Sequence, residues 1–328
     1  GDFIGLKDGD SVTSLTFVNM DDKYEYSAAI TGNSYSISLR NGTYEVKAEA
    51  SGYDTLSHVI VKDKDVPRDL LFTTNSSVTL PLVKDIYVGC PEQANNYDTV
   101  RAAVAACKAM KPASEADRIT VHIAPGVYRE QVIIDTPYIS FVNTNPEEEV
   151  LLTWYYGIGY VYYSIGSDGY YSEAAAFDKY EKNTAQKWGA ATYIKGSATA
   201  FRAENITFEA SFNKYLTEEE VADGVEPGGR DIKNYDRTAP NADVTSRNAT
   251  ERAAALAVEG NHSEFYNCKI VSSQDTLFTG NDSTSYFKNC FIDGNTDYIF
   301  GGGDFVFDAC ELSFYGYSDT EASGYITA

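Results

Sequence analysis

The sequence predicts an all-β chain: a solenoid of stacked parallel coils preceded by a small antiparallel β-sandwich. Three observations predict it. First, short β-forming runs recur every 20 to 22 residues. Phe265-Tyr266-Asn267-Cys268-Lys269-Ile270 returns as Phe287-Lys288-Asn289-Cys290-Phe291-Ile292 and, more loosely, as Phe307-Asp308-Ala309-Cys310-Glu311-Leu312. Phe201, Ala203, Glu204 and Ile206 fit the same frame earlier in the chain. A unit this short cannot bury its apolar face alone, so it stacks on its own copies. Second, the first 75 or so residues alternate apolar and polar side chains with period two. Third, a stretch with helical spacing, residues 99–110, stands just ahead of the first coils, where an open solenoid end needs a cover.

Each element follows from its own residues. In 1–77, Ser36-Ile37-Ser38-Leu39, Tyr44-Glu45-Val46-Lys47-Ala48-Glu49-Ala50 and Val59-Ile60-Val61 read as strands, with turns at Asn41-Gly42 and Ser51-Gly52. Asn41-Gly42-Thr43-Tyr44-Glu45-Val46 followed by Ser51-Gly52-Tyr53 resembles the transthyretin-like or carboxypeptidase-regulatory-like modules appended to secreted bacterial enzymes. That resemblance implies a spacer, with carbohydrate binding as the other role. Thr73-Thr74-Asn75-Ser76-Ser77 reads as a linker, and residues 78–328 as the second domain. Asp98 is a candidate cap for the helix, whose Val100, Val104 and Cys107 share one face. Ile119-Thr120-Val121-His122-Ile123 begins the coils. Two segments break the rhythm: an aromatic insertion over 154–193, and a polar one over about 213–248 that contains Gly228-Gly229-Arg230-Asp231. Insertions on a solenoid commonly build its binding face, and tyrosine rings can stack on sugars. Packing of those rings against the coils is the alternative.

Composition narrows the function. The formal net charge of −22 argues against nucleic acid or an anionic membrane as partner, since either needs a basic face. No run of about 18 apolar residues is present, so no membrane span is expected. The start has no basic segment leading into an apolar one, and the chain is expected to be a mature protein or an excised fragment. Five cysteines leave at least one unpaired. Cys268, Cys290 and Cys310 occupy equivalent positions and stack as small apolar groups, with a bridge between neighbours or between Cys90 and Cys107 as alternatives. No zinc-like spacing is present.

The chemistry lies in the repeat. Asp275, in Ser273-Gln274-Asp275-Thr276-Leu277-Phe278, and Asp297, in Gly294-Asn295-Thr296-Asp297-Tyr298-Ile299-Phe300-Gly301, are 22 residues apart, one coil. Stacked coils would hold the two carboxyl groups one inter-strand spacing apart, about 4.8 Å. At about 5 Å and an effective dielectric near 20, two ionised carboxylates repel by roughly 3 kcal/mol, over two pKa units. The pair therefore splits into one carboxylate and one carboxylic acid near neutral pH, as nucleophilic or acid–base work requires. Gln274 supplies an uncharged N–H donor suited to a developing oxyanion.

Gly126-Val127-Tyr128-Arg129-Glu130, Gln274-Asp275-Thr276-Leu277 and Asp297-Tyr298-Ile299-Phe300-Gly301 resemble, in order and spacing, the signature of the pectin methylesterases (pectinesterases), from about Asp85 to the end of the chain. The resemblance implies a right-handed parallel β-helix that hydrolyses galacturonate methyl esters of pectin to methanol. It implies Asp297 as nucleophile, Asp275 as acid then base, Gln274 as oxyanion donor, and no metal or organic cofactor. The family's Gln-Ala-Val-Ala-Leu appears here as Arg252-Ala253-Ala254-Ala255-Leu256, so Arg252 is either an oxyanion or substrate donor or an outward-pointing charge. Asn295 replaces a smaller residue. The family's Leu-Gly-Arg-Pro-Trp, whose arginine pairs with the nucleophile, is expected beyond Ala328, and without it the 328-residue chain is expected to turn over poorly.

Two rivals stay open. One is a β-helix glycan hydrolase of the polygalacturonase type, which would need a paired Asp-Asp, a Gly-His-Gly and an Arg-x-Lys that residues 78–328 lack. The other is a non-catalytic glycan-binding or adhesin solenoid. A calcium-dependent lyase lacks its acidic cluster, and a serine esterase lacks its Gly-x-Ser-x-Gly elbow. Pectin is the expected partner, a monomer the expected state, and the outside or surface of a bacterial cell the expected location.

Overall fold

The computed structural model describes residues 1–328 except 56, 62–64, 66–68, 76–77, 156, 159, 163, 166–170, 173–188, 224, 228–236, 238 and 321–323. Residues from Asp85 onward wind into a parallel β-helix with three sheets. The first has eight strands, in the order Asn96–Tyr97, Asp85–Val88, Ile119–Ile123, Ile139–Asn143, Arg202–Glu204, Ser263–Tyr266, Thr284–Lys288 and Asp304–Asp308. The second has six: Gly126–Arg129, Val150–Trp154, Thr207–Ala210, Lys269–Val271, Phe291–Gly294 and Glu311–Phe314. The third has five: Val132–Ile134, Thr192–Ile194, Leu256–Val258, Leu277–Thr279 and Ile299–Gly301. Every pairing within them is parallel. From Ile119–Ile123 to Ile299–Gly301 each coil contributes one strand to each sheet, in fixed order.

Like stacks on like inside. Phe265 pairs in register with Phe287, and Phe287 with Phe307. The Phe265 and Phe287 rings lie 4.4 Å apart, nearly parallel at 8°. In the earlier coil it is Ala203, not Phe201, that aligns with Phe265, and Phe201 closes the gap from the side at 5.9 Å. Between the first and second sheets the chain turns at Asn205, Asn267, Asn289 and Ala309, all with φ between 52° and 56°. Asn tolerates this left-handed backbone better than most residues. The Asn289 amide reaches Asn267 at 3.4 Å, a side-chain ladder that follows the backbone one.

Cys268, Cys290 and Cys310 follow these turns, and each thiol leans toward a carbonyl of the preceding rung (Ala203, Phe265 and Phe287, at 3.4 to 3.5 Å). All five cysteines are free, Cys90 and Cys107 included. Cys107 is buried on the inner face of the helix, and the Cys90 thiol faces the Val88 carbonyl at 3.6 Å, so neither is committed to the other.

The helix spans Val100–Met110 and covers the first coils with Val100, Val104 and Cys107 inward. Its cap is Thr99 rather than Asp98. The Thr99 hydroxyl accepts from the Ala102 N–H at 3.1 Å, and the Glu130 carboxylate accepts from the Val100 and Arg101 N–H groups, each at 2.8 Å. With those donors satisfied, Asp98 has no capping duty. Glu130 thus has structural work: it ties the first coil to its cover. The helix ends at Lys111, left-handed at φ 53°, ahead of Pro112.

The N-terminal part has a separate core around Phe3, Phe17, Tyr35, Tyr44, Leu70 and Phe72. Its main sheet is antiparallel and four-stranded, in the order Glu25–Ser27, Val12–Asn19, Gly42–Ala50 and Ser57–Val61. The strand expected over 36–39 instead ends at Ser36. Ile37 and Leu39 still turn inward, so alternation there records burial without a ladder partner. Thr73–Thr74, within the stretch read as a linker, pairs with Tyr53–Asp54. Among the described residues no helix is long and apolar enough to cross a membrane.

Removing one rung of the aromatic stack tests this packing. Phe265→Ala is expected to cost about 3–5 kcal/mol in urea unfolding, because Phe287 stacked above and Phe201 and Phe208 alongside leave the cavity little room to collapse.

Candidate active site

Six strands of the second sheet lead into a single corner of the β-helix. In the first coil the corner is tight, with residues 130–131 between Arg129 and Val132. In the second and third coils it opens into the two insertions, residues 155–191 and 211–255. In the next two it shortens to 272–276 and 295–298, which hold Asp275 and Asp297. Both insertions and both aspartates thus leave from one edge. The insertions join each other through the antiparallel pair Tyr160–Tyr162 with Val225–Pro227.

Of the insertion residues singled out in the sequence, Trp154 and Tyr155 are buried and stacked at 4.5 Å, packing the loop against the coils. The side chains of Tyr156, Tyr160, Tyr162, Tyr163, Tyr170, Tyr171 and Trp188, and the whole of Gly228-Gly229-Arg230-Asp231, lie outside the described residues.

Register at the corner is set by single parallel bridges that join Arg252 to Gln274 and Gln274 to Thr296. The Asp275 N–H donates to the Thr296 carbonyl at 3.1 Å, and the Ala253 N–H to the Gln274 carbonyl at 3.2 Å. Ala253, Asp275 and Asp297 therefore form one column on successive rungs. Both aspartates hold left-handed backbone, φ 61° and 49°, which aligns their side chains on the same side of the corner. Asp275 is 5 % exposed; Asp297 is half-buried. Burial, the facing Asp297 and then Glu251 push the Asp275 carboxyl up to about 7.

Gln274 sits half-buried beside the pair, in the column between Arg252 and Thr296. The Arg252 Nε contacts the carboxylate of its neighbour Glu251 at 3.3 Å, and the backbone N–H of Arg252 donates to the same oxygen at 2.9 Å. Neither of the two alternatives drawn from the sequence anticipated this partner.

The rung above is locked from its other side. The buried Asn295 amide donates to the Ser273 hydroxyl at 3.2 Å and to the Gly316 carbonyl at 2.8 Å, and its oxygen accepts from the Gly316 N–H at 2.8 Å. A smaller residue could not bridge that gap, which gives the Asn at this position a physical reason. The Thr296 and Tyr317 hydroxyls pair at 2.6 Å. At Gly294 an added Cβ would meet Tyr298 Cβ at 2.2 Å, so only glycine lets the chain turn so closely into Asp297.

Three residues were missed in the sequence. Glu251 supplies a third carboxylate. Asn213 fixes it, giving its amide to the Glu251 carbonyl at 2.5 Å and taking the Glu251 N–H at 2.9 Å. Lys214 pairs with Asp293 at 3.2 Å, and its ammonium lies 4.1 Å over the Tyr315 ring. All three leave from the second insertion, and their partners, within it or on the coils, lie at separations that a 22-residue period cannot register.

A protein-family model described as Pectinesterase matches residues 234–328. Pectinesterase QRT1 of Arabidopsis thaliana is 30% identical over 206 residues, 62% of this chain and 41% of that protein. A pectinesterase of Ralstonia nicotianae is 45% identical over 69 residues, 20% of this chain and 17% of that one. The chain spans about half or less of the length of these curated relatives. Among solved structures, pectin methylesterase PemA from Erwinia chrysanthemi superposes with a TM-score of 0.49 at 23% identity, over 74% of this chain and 60% of that one.

The shift at Asp275 has a sign that can be tested. The folded chain holds a proton there between about pH 4 and pH 7 that the unfolded chain has already lost. Stability should fall across that window, by about 4 kcal/mol for this group, and level off above it. In urea unfolding at pH 4.5 and pH 8, Asp275→Asn should lose most of that pH dependence relative to the unmodified protein.

Proposed function

We propose that the chain, as a member of the pectinesterase family, hydrolyses the methyl esters of galacturonate units in pectin, releasing methanol. The observation that carries this reading is the pair of carboxyl groups on consecutive rungs at the one corner from which both insertions leave. A second coil presenting the same group one rung away is what a two-step acyl transfer uses.

The roles follow from environment. Asp297, the more exposed of the two, attacks the ester carbonyl carbon as a carboxylate. Charge develops on the carbonyl oxygen, and the Gln274 amide supplies a donor beside the pair for it. The C–O bond to the methoxy group breaks while buried, protonated Asp275 gives its proton to the departing oxygen, so methanol leaves and an acyl-enzyme anhydride remains. Asp275, now a carboxylate, takes a proton from water as the water oxygen attacks the anhydride. The acid product and the Asp297 carboxylate are restored, and Asp275 is again protonated. A carboxyl that titrates near 7 serves both halves of this cycle.

Residues 1–77 form the spacer domain in this reading, and residues 78–328 the catalytic one. The substrate and the appended module together favour action outside the cell. The acidic surface suits a neutral, methyl-esterified polymer whose product is anionic and is repelled on release.

Methanol release from highly esterified pectin tests the assignment. Asp297→Asn and Asp275→Asn should each lower kcat at least about a hundredfold with pectin binding kept. Reducing ends formed without methanol would replace this reading with glycan hydrolysis. Binding with no methanol, indifferent to Asp297→Asn, would replace it with a binding solenoid.

A further inference from the structure

The columns at the corner contain a gap. One rung below Asp275 the equivalent position is Ala253, whose methyl group brings no charge to the column. Glu251, two residues earlier on that same rung and one methylene longer than Asp, is the carboxylate of the rung whose charge acts on Asp275. Its side chain is only 11% exposed. Its backbone is clamped in both directions by Asn213, itself fully buried. The Oε1 of Glu251 is held by the backbone N–H and the Nε of Arg252, whose own side chain is 26% exposed. A carboxylate fixed this firmly, and this far from bulk water, has not drifted into place.

We propose that Glu251 is a positioning residue of the site, a third carboxylate that acts through Asp275 by holding negative charge against it from the rung below. Arg252 is the counter-charge held on Glu251, and it shields part of that negative charge from Asp275. This rests on the reading of Asp275 as the acid of the reaction and adds what keeps it an acid. Asp275 is pressed from both sides, by Asp297 above and Glu251 below. Among the described residues, Asp293, four residues ahead of Asp297, pairs with Lys214. Among the described residues the charged groups set around Asp275 are thus Asp297 and Glu251, with Arg252 behind Glu251. The Arg at the place where the resemblance expects Gln gains a reason: it belongs to Glu251.

The electrostatics have a direction. A negative group near a carboxyl favours its protonated form; removing the negative group releases the proton at lower pH. Removing the cation that shields that group acts the opposite way.

The test is a carboxyl 13C titration of the 328-residue chain by NMR without substrate, with Asp275 identified by its loss in Asp275→Asn. In Glu251→Gln the Asp275 midpoint should move down by about one pH unit. In Arg252→Gln it should move up. A folded Glu251→Gln protein, by its amide spectrum, with an unmoved or raised midpoint overturns the proposal. Should that variant not fold, an Arg252→Gln midpoint that stays or falls overturns it equally. Glu251→Asp, which keeps the charge, should recover part of the shift, as a purely steric role would not. Because no turnover is involved, this result stands apart from whether the chain releases methanol. In a turnover assay on pectin the same substitution should move the alkaline limb of the rate profile to lower pH.

Discussion

Parallel register between coils is the constraint on which everything else here depends. A parallel ladder shifts nothing sideways: a side chain on one rung finds its counterpart directly above it, a strand spacing away. In the interior this produces the ladder of Phe265, Phe287 and Phe307, the column of thiols and the repeated Asn turns. At the corner the same rule places two acidic residues on consecutive rungs, one of them buried.

The cost of that placement is also its use. Two like charges a rung apart cannot both stay ionised cheaply, so the more buried one keeps a proton. The coils supply rigidity and the insertions supply surroundings. Asn213 and Lys214 reach in from the second insertion, and Asn295 and Thr296 tie the upper rung to Gly316 and Tyr317. The corner is thus braced from the second insertion and from the rung above by groups that do no chemistry themselves.

The repeat made the solenoid and the aspartate column readable because both obey a fixed period. Phe265, Phe287 and Phe307 betray their stacking simply by recurring. The helix was readable by its spacing, but its cap was not: Thr99 prevails over Asp98 because Glu130, distant in sequence, takes the other free N–H groups. The strand expected over 36–39 failed for a related reason, since inward alternation shows which side is buried and not whether a neighbouring strand is there to pair. Glu251 was invisible because its importance depends on Asn213 and Asp275, neither of which lies at a periodic distance from it. Residues that act within the repeat can be seen in the sequence; those that act across an insertion need the fold.

The most direct test of the central claim is whether Asp275 feels Asp297. The Asp275 carboxyl should titrate near pH 7 in the intact chain, and its midpoint should fall clearly when Asp297→Asn removes the charge one rung above. A midpoint unchanged by that substitution in a folded protein would mean that the two carboxyl groups do not face each other, and the account of the site would fail with it.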